Sequence, residues 1–152
     1  MIVIAAIVIV AVGFLFLGWG GGDAGQENIT ITFDEVYAHD YKNSDGKTYY
    51  SYIVKGFFDK MPKDIEKYMV KTKYLDSSGK ELTSTSKRLS DFKNDVNYDF
   101  SSTISDYYTQ NYIDVDHVCV QILKDNQVVG EFNSTMNKNK LTMIPNSGNS
   151  SK

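Results

Sequence analysis

Tyr68-Met69-Val70-Lys71-Thr72-Lys73-Tyr74-Leu75-Asp76-Ser77-Ser78-Gly79-Lys80-Glu81-Leu82 is the stretch whose reading decides the fold. Tyr68, Val70 and Tyr74 recur with period two, and Lys71 and Lys73 alternate with them, joined by Lys67 just upstream. Successive side chains of an extended chain point to opposite faces, so the pattern is that of a strand with one buried and one solvated face. Asp76-Ser77-Ser78-Gly79 then supplies turn chemistry and closes a hairpin after Leu75.

The same period continues on both sides. Ile29, Ile31, Phe33 and Tyr37 line one face of a first strand, opposite Thr30, Thr32 and Asp34. Tyr50, Tyr52, Val54 and Phe58 line a second, where Gly56 marks a bulge. Tyr98, Phe100 and Ile104 form a later inner row, Val118, Val120 and Ile122 the next, and Val128 with Phe132 the last. Asn43-Ser44-Asp45-Gly46 and Lys124-Asp125-Asn126-Gln127 are further turns. Pro62 ends strand pairing near a short helical turn, and Ser84 to Ser90 reads as an edge or loop. No long window keeps a helical period, and eleven Tyr with eight Phe favour pleated, half-buried surfaces. The expected fold is all-β: an immunoglobulin-like β-sandwich of about seven antiparallel strands, preceded by one N-terminal transmembrane helix.

The run Val54-Lys55-Gly56-Phe57-Phe58, followed by the hairpin above, resembles the central hairpin of FxLyD-type immunoglobulin-like domains. The family's Phe-x-Leu-Tyr-Asp falls on Thr72, Lys73, Tyr74, Leu75 and Asp76. Asp76 matches, Tyr74 and Leu75 exchange the aromatic and aliphatic positions, and Thr72 stands for Phe. The downstream Gly79-Lys80 matches the usual turn. The resemblance covers about half of the part that follows the apolar segment. It implies a sandwich on a membrane-anchored or secreted surface protein of a prokaryote, archaea included, and carries no catalytic residues.

Met1 to Gly22 contain no charged side chain, and Met1 to Leu17 are apolar throughout. At about 1.5 Å of helical rise per residue, Met1 to Trp19 spans about 28 Å, close to the hydrocarbon thickness of a bilayer. Residues 1–19 are therefore read as a transmembrane signal anchor, 20–27 as a Gly-rich tether, 28–144 as the sandwich and 145–152 as a disordered tail. Asp23 and Glu27 follow the span and the first lysine is Lys42, which places the domain outside the cytoplasm of a single-pass cell-membrane protein. The basic n-region of a signal peptide is missing, so either the topological signal is weak or the start lies upstream of Met1. Cleavage after Ala24 is the alternative to an uncleaved anchor, and no cysteine follows the span for lipidation.

Chemistry is sparse in this sequence. The formal net charge of −3 is spread among interspersed signs, and Lys67, Lys71 and Lys73 read as a solvated face, which argues against nucleic acid. Cys119 is the single cysteine and lies between Val118 and Val120, a setting for a small buried hydrophobe. His39-Asp40 and Asp114-x-Asp116-His117 converge on a cation only if their strands meet, and Asp91, Asp95 and Asp99 lack the spacing of a calcium loop. No nucleophile elbow or phosphate loop is present, so we expect no metal, no cofactor and no enzymatic activity. Asn28, Asn133 and Asn149 head glycosylation sequons. Tyr107, Tyr108 and Tyr112 are candidates for a contact surface, because a tyrosine joins contact area to a hydrogen-bonding tip. The expected function is a membrane-anchored extracytoplasmic module with a binding or structural role, its partner a protein or cell-envelope ligand. The alternatives are an accessory subunit docking through its helix onto a membrane protein, and an extracytoplasmic enzyme.

Overall fold

The structure, a computed structural model, describes residues 29–59, 61–92 and 102–143. They form eight strands: β1 (Ile31–Lys42), β2 (Thr48–Phe58), β3 (Tyr68–Leu75), β4 (Glu81–Arg88), β5 (Ser102–Thr109), β6 (His117–Lys124), β7 (Gln127–Thr135) and β8 (Asn137–Lys140). Two 3-10 turns, Ile65–Lys67 and Leu89–Phe92, are the helical elements among the described residues. One sheet has the order β5-β2-β1-β8 and the other β4-β3-β6-β7. Neighbours are antiparallel except β1 and β8, which run parallel. The fold is all-β, two sheets closed over one core.

Turn residues account for the hairpins. The Asn43 side-chain oxygen accepts from the N–H groups of Asp45 (3.0 Å) and Lys47 (3.1 Å), and Asp76 does the same for Ser78 (2.9 Å) and Lys80 (3.0 Å). Each loop then reverses through a left-handed residue, Gly46 at φ 74° and Gly79 at φ 83°. β6 and β7 are joined by Asp125 and Asn126, both at positive φ, in a two-residue loop whose twist suits a hairpin.

The core draws on both sheets. Val36, Ala38, Tyr52, Val54 and Ile104 of the first meet Val70, Tyr74, Val118, Val120 and Ile122 of the second, all of them buried. The Tyr74 hydroxyl donates to the Tyr52 carbonyl at 3.2 Å and shares a hydrogen bond with Ser105 Oγ at 2.7 Å. Ser105 Oγ also lies 2.6 Å from Thr85 Oγ1, so one buried hydroxyl ties both sheets together. Such a chain satisfies polar groups that would be costly to bury alone.

The β2–β5 ladder shifts register at Ile104, turning Ser105 and Tyr107 inward, and three further features depart from the period-two reading. In β1 the register against β2 shifts between Phe33 and Glu35, so Asp34 is an extra residue. The shift turns Val36 and Ala38 inward and puts Tyr37, expected inside with Ile31, on the outer face. Gly56 stands opposite Phe33 in this bulge, and a Cβ there would sit 2.5 Å from the Thr32 carbonyl oxygen. In β7 a shift between Ile122 and Leu123 makes Val129 the extra residue, and Gly130 rather than Val128 faces Ile122. Val128, expected in the inner row, is therefore 51% exposed. Eight strands replace the expected seven because the last one divides at buried Met136, whose N–H donates to the Asp116 carbonyl at 2.8 Å as the chain changes sheets.

Tyr98, Phe100, the apolar segment 1–19, the tether and the tail 145–152 lie outside the described residues. Among the described residues no helix is long and apolar enough to cross a membrane.

Candidate functional site

The outer face of the β5-β2-β1-β8 sheet is lined with rings. The bulge at Asp34 sends Tyr37, His39 and Tyr41 outward, and β2 sets Ile53, Ser51 and Tyr49 directly opposite them. Tyr108 of β5 lies across from Ser51 on the same face. Tyr37 and His39 have ring centroids 5.8 Å apart, His39 and Tyr41 6.0 Å, and Tyr41 stacks on Tyr49 at 5.6 Å with planes 15° apart. Such cross-strand and same-strand aromatic contacts support a sheet without closing it to solvent. Tyr108 remains 66% exposed and Tyr41 42%.

Polar groups are set among these rings. Ser51 is buried although it points outward, because larger neighbours surround it, and its hydroxyl donates to Asp106 Oδ1 at 2.9 Å. Gln110 donates its amide to the Tyr49 hydroxyl at 2.8 Å. Lys140 Nζ stands 3.8 Å from the Tyr37 ring centre and Lys55 Nζ 5.7 Å, and both pair with Glu35, at 3.5 and 3.3 Å. Glu35 is thus shared between two lysines. Contact surfaces rich in tyrosine and edged by paired charges are a recurring solution to protein recognition.

The residues singled out from the sequence are scattered. Of the three tyrosines, Tyr108 faces outward. Tyr107 is half-buried against Tyr52 (6.2 Å) and Tyr74 (5.7 Å). Tyr112 packs edge-on against Tyr50 at 5.3 Å and donates its hydroxyl to Asp114 at 3.0 Å. Burial and that carboxylate push the Tyr112 phenol up to about 12.

His39 and His117 stand on outer faces of opposite sheets. His117 Nδ1 is 3.3 Å from Asp116 Oδ2. Asp40 holds the backbone and hydroxyl of Thr142, Asp114 is taken by Lys138, and the Asp91 carboxylate accepts the Arg88 N–H at 3.1 Å. Asp95 and Asp99 lie outside the described residues. Among the described residues no three of His, Cys, Asp and Glu come together in a group that could hold a metal ion.

Cys119 is buried on the outer side of β6 rather than in the inner row, and burial beside Glu131 pushes its thiol up to about 11. Asn133 is exposed on β7, a strand at the edge of its sheet. Asn28 and Asn149 lie outside the described residues.

Sequence reasoning missed Tyr37, Tyr41 and Tyr49 as a surface. The signal was the alternation Tyr37-x-His39-x-Tyr41 and the short turn that returns the chain to Tyr49, and it becomes legible only once the bulge is known.

No protein-family model matches the chain, and no curated protein matches it. Among solved structures, the chain is similar to part of the β-glucuronidase of Parabacteroides merdae, at 18% identity and a TM-score of 0.39, over 70% of this chain and 14% of that one. The chain thus spans about a seventh of that enzyme's length.

Proposed function

We propose that the chain is a membrane-anchored, immunoglobulin-like β-sandwich that presents a binding surface outside the cell, with the ring-lined face of the β5-β2-β1-β8 sheet as that surface. The observation that carries the reading is Tyr41 standing exposed in a row of rings with Tyr37, His39 and Tyr49, with exposed Tyr108 across Ser51 on the same face. An outer sheet face with no partner is ordinarily polar, and a contiguous aromatic one marks a place of contact.

Three further observations support it. The strand order β5-β2-β1-β8 against β4-β3-β6-β7 supports an immunoglobulin-like arrangement in which the fourth strand pairs with the third and β8 is added beside β1. The hairpin that resembles FxLyD-type domains closes through Asp76, the residue that matches the motif. The uncharged stretch Met1 to Gly22 has the length of a membrane span, and the acidic residues after it favour export of the domain.

The test is topological and surface-directed. Protease added to intact cells should remove the domain, and protection until lysis would refute the external placement. In the same cells, Tyr41→Ser with Tyr108→Ser should abolish whatever association with the envelope survives detergent-free washing of protease-released domain. Unchanged retention would refute this face as the contact surface.

A further inference from the structure

A second patch, with no partner among the described residues, lies on the opposite sheet. Met69 of β3 pairs with Leu123 of β6, and Leu123 pairs with Val128 of β7. Their neighbours Val70 and Ile122 point into the core, so this row points outward. The bulge adds Val129 beside it, and Val128 and Val129 are 51% and 56% exposed. Met69 and Leu123 are half-buried, and Arg88 of β4 closes the row on the far side of Met69. Four aliphatic side chains therefore form one strip across three strands. Two of them are open to solvent at positions where the outer face of a sheet is ordinarily polar.

The position of the strip in the fold matters more than its size. It lies at the end of the sandwich where the chain enters. The Thr30 carbonyl accepts from the Asp59 N–H at 2.9 Å, and the chain from Asp59 leads directly into β3, whose first residue pairs with Lys124 at the end of β6. The hairpin loops at Gly46 and Gly79 and the Asn111 loop lie at the other end. Nine residues, 20–28, separate Trp19 from Ile29, and fully extended they reach about 30 Å. An anchor in residues 1–19 therefore holds the entry end within about 30 Å of the lipid.

We propose that the aliphatic strip Met69–Leu123–Val128–Val129 rests on the lipid headgroup and acyl boundary, seating the entry end of the domain on the membrane that its N-terminal segment spans. This rests on the anchored reading above and adds an orientation to it. Half-exposed valines bury apolar area in the interface, and Arg88 at the Met69 end of the strip meets anionic headgroups, while Lys71 and Lys73 farther along β3 pair with Glu81 at 3.8 and 4.0 Å. The strip belongs to the β4-β3-β6-β7 sheet, so seating it on lipid turns the other sheet, with Tyr41 and Tyr108, toward the medium. The lipid strip and the tyrosine face thus serve opposite sides of one molecule.

The experiment places a single nitroxide on the full chain reconstituted into vesicles of phosphatidylcholine and phosphatidylglycerol. Cys119→Ala removes the native thiol, and Val129→Cys, Val128→Cys or Asn111→Cys supplies the labelled one. All three sites are exposed, and thermal melts confirm that each variant folds. The ratio of oxygen to nickel-chelate accessibility should be at least threefold higher at residues 128 and 129 than at residue 111. A chain that does not float with the vesicles refutes the anchor and this orientation with it. A chain that floats, with residue 129 as open to nickel as residue 111, overturns the orientation alone. Dipolar broadening between labels at residue 129 would show a second copy covering the strip and would overturn it equally.

Discussion

The hydroxyl chain Tyr74–Ser105–Thr85 makes a quantitative test of how the two sheets are joined. Tyr74→Phe keeps the ring and removes one oxygen, which bonds Ser105 Oγ at 2.7 Å and the Tyr52 carbonyl at 3.2 Å. Burial pushes the Tyr74 phenol well above its ordinary value, so it is neutral across the working range and the substitution removes no charge. A net hydrogen bond contributes about 0.5–1.5 kcal/mol, and the longer one sits at the low end, so the loss is about 1.5 kcal/mol. Ser105→Ala removes the node that Tyr74 and Thr85 share; Thr85 is half-buried and reaches water, so the cost falls mainly on Tyr74 and is again about 1.5 kcal/mol. Both substitutions delete the same 2.7 Å bond. The double variant should therefore cost about 2 kcal/mol rather than about 3, a coupling of about 1 kcal/mol. Urea unfolding of the four chains, followed by circular dichroism at constant slope, measures it, and each kcal/mol should lower the Tm by about 4 °C. Strict additivity would mean that the two hydroxyls act independently and that the sheets are not tied through Ser105.

Gly56→Ala should destabilise the domain by about 2–4 kcal/mol, because its Cβ meets the Thr32 carbonyl at 2.5 Å across the bulge; a thermal melt matching the parent would refute the bulge geometry. Gly46→Ala meets no atom within 4 Å and should cost only about 1 kcal/mol, for its φ of 74°. Cys119, with its thiol raised to about 11, should react with a maleimide roughly a hundredfold more slowly at pH 8 than an ordinary thiol. Because the thiolate is the reactive form, the rate should climb about tenfold per pH unit from 8 to 10, with no plateau below 11. Fast labelling of the folded chain, or a plateau near pH 9, would show the site to be open.

The tyrosine face and the aliphatic strip lie on the outer sides of opposite sheets. Around Tyr37 on the first, Glu35 engages both Lys55 and Lys140. The exposed half of the second, Val128 and Val129, lies on an edge strand whose bulge already limits pairing with another chain.

Local chemistry settled much of this protein in the sequence itself. Alternation of Tyr68, Val70 and Tyr74 with Lys71 and Lys73 can be satisfied only by a strand with one dry face, and that is where β3 puts them. Asp76 with Gly79, and Asn43 with Gly46, close their loops through hydrogen bonds and torsions that span five residues, so the turns needed no distant partner to be legible. Faces counted from a strand's start were another matter. A single extra residue reverses every side chain after it, and neither Asp34 nor Val129 differs from its neighbours until the opposing strand is present. Tyr37 and Val128 therefore moved outward, and with them appeared the tyrosine face and the aliphatic strip. The division of the last strand at Met136 was equally hidden, because which sheet a strand joins is decided by unpaired edges on β1 and β6 that lie about a hundred and about twenty residues away in the chain. Sequence period sets whether a segment is pleated; the partner across the ladder sets which side of it meets the solvent.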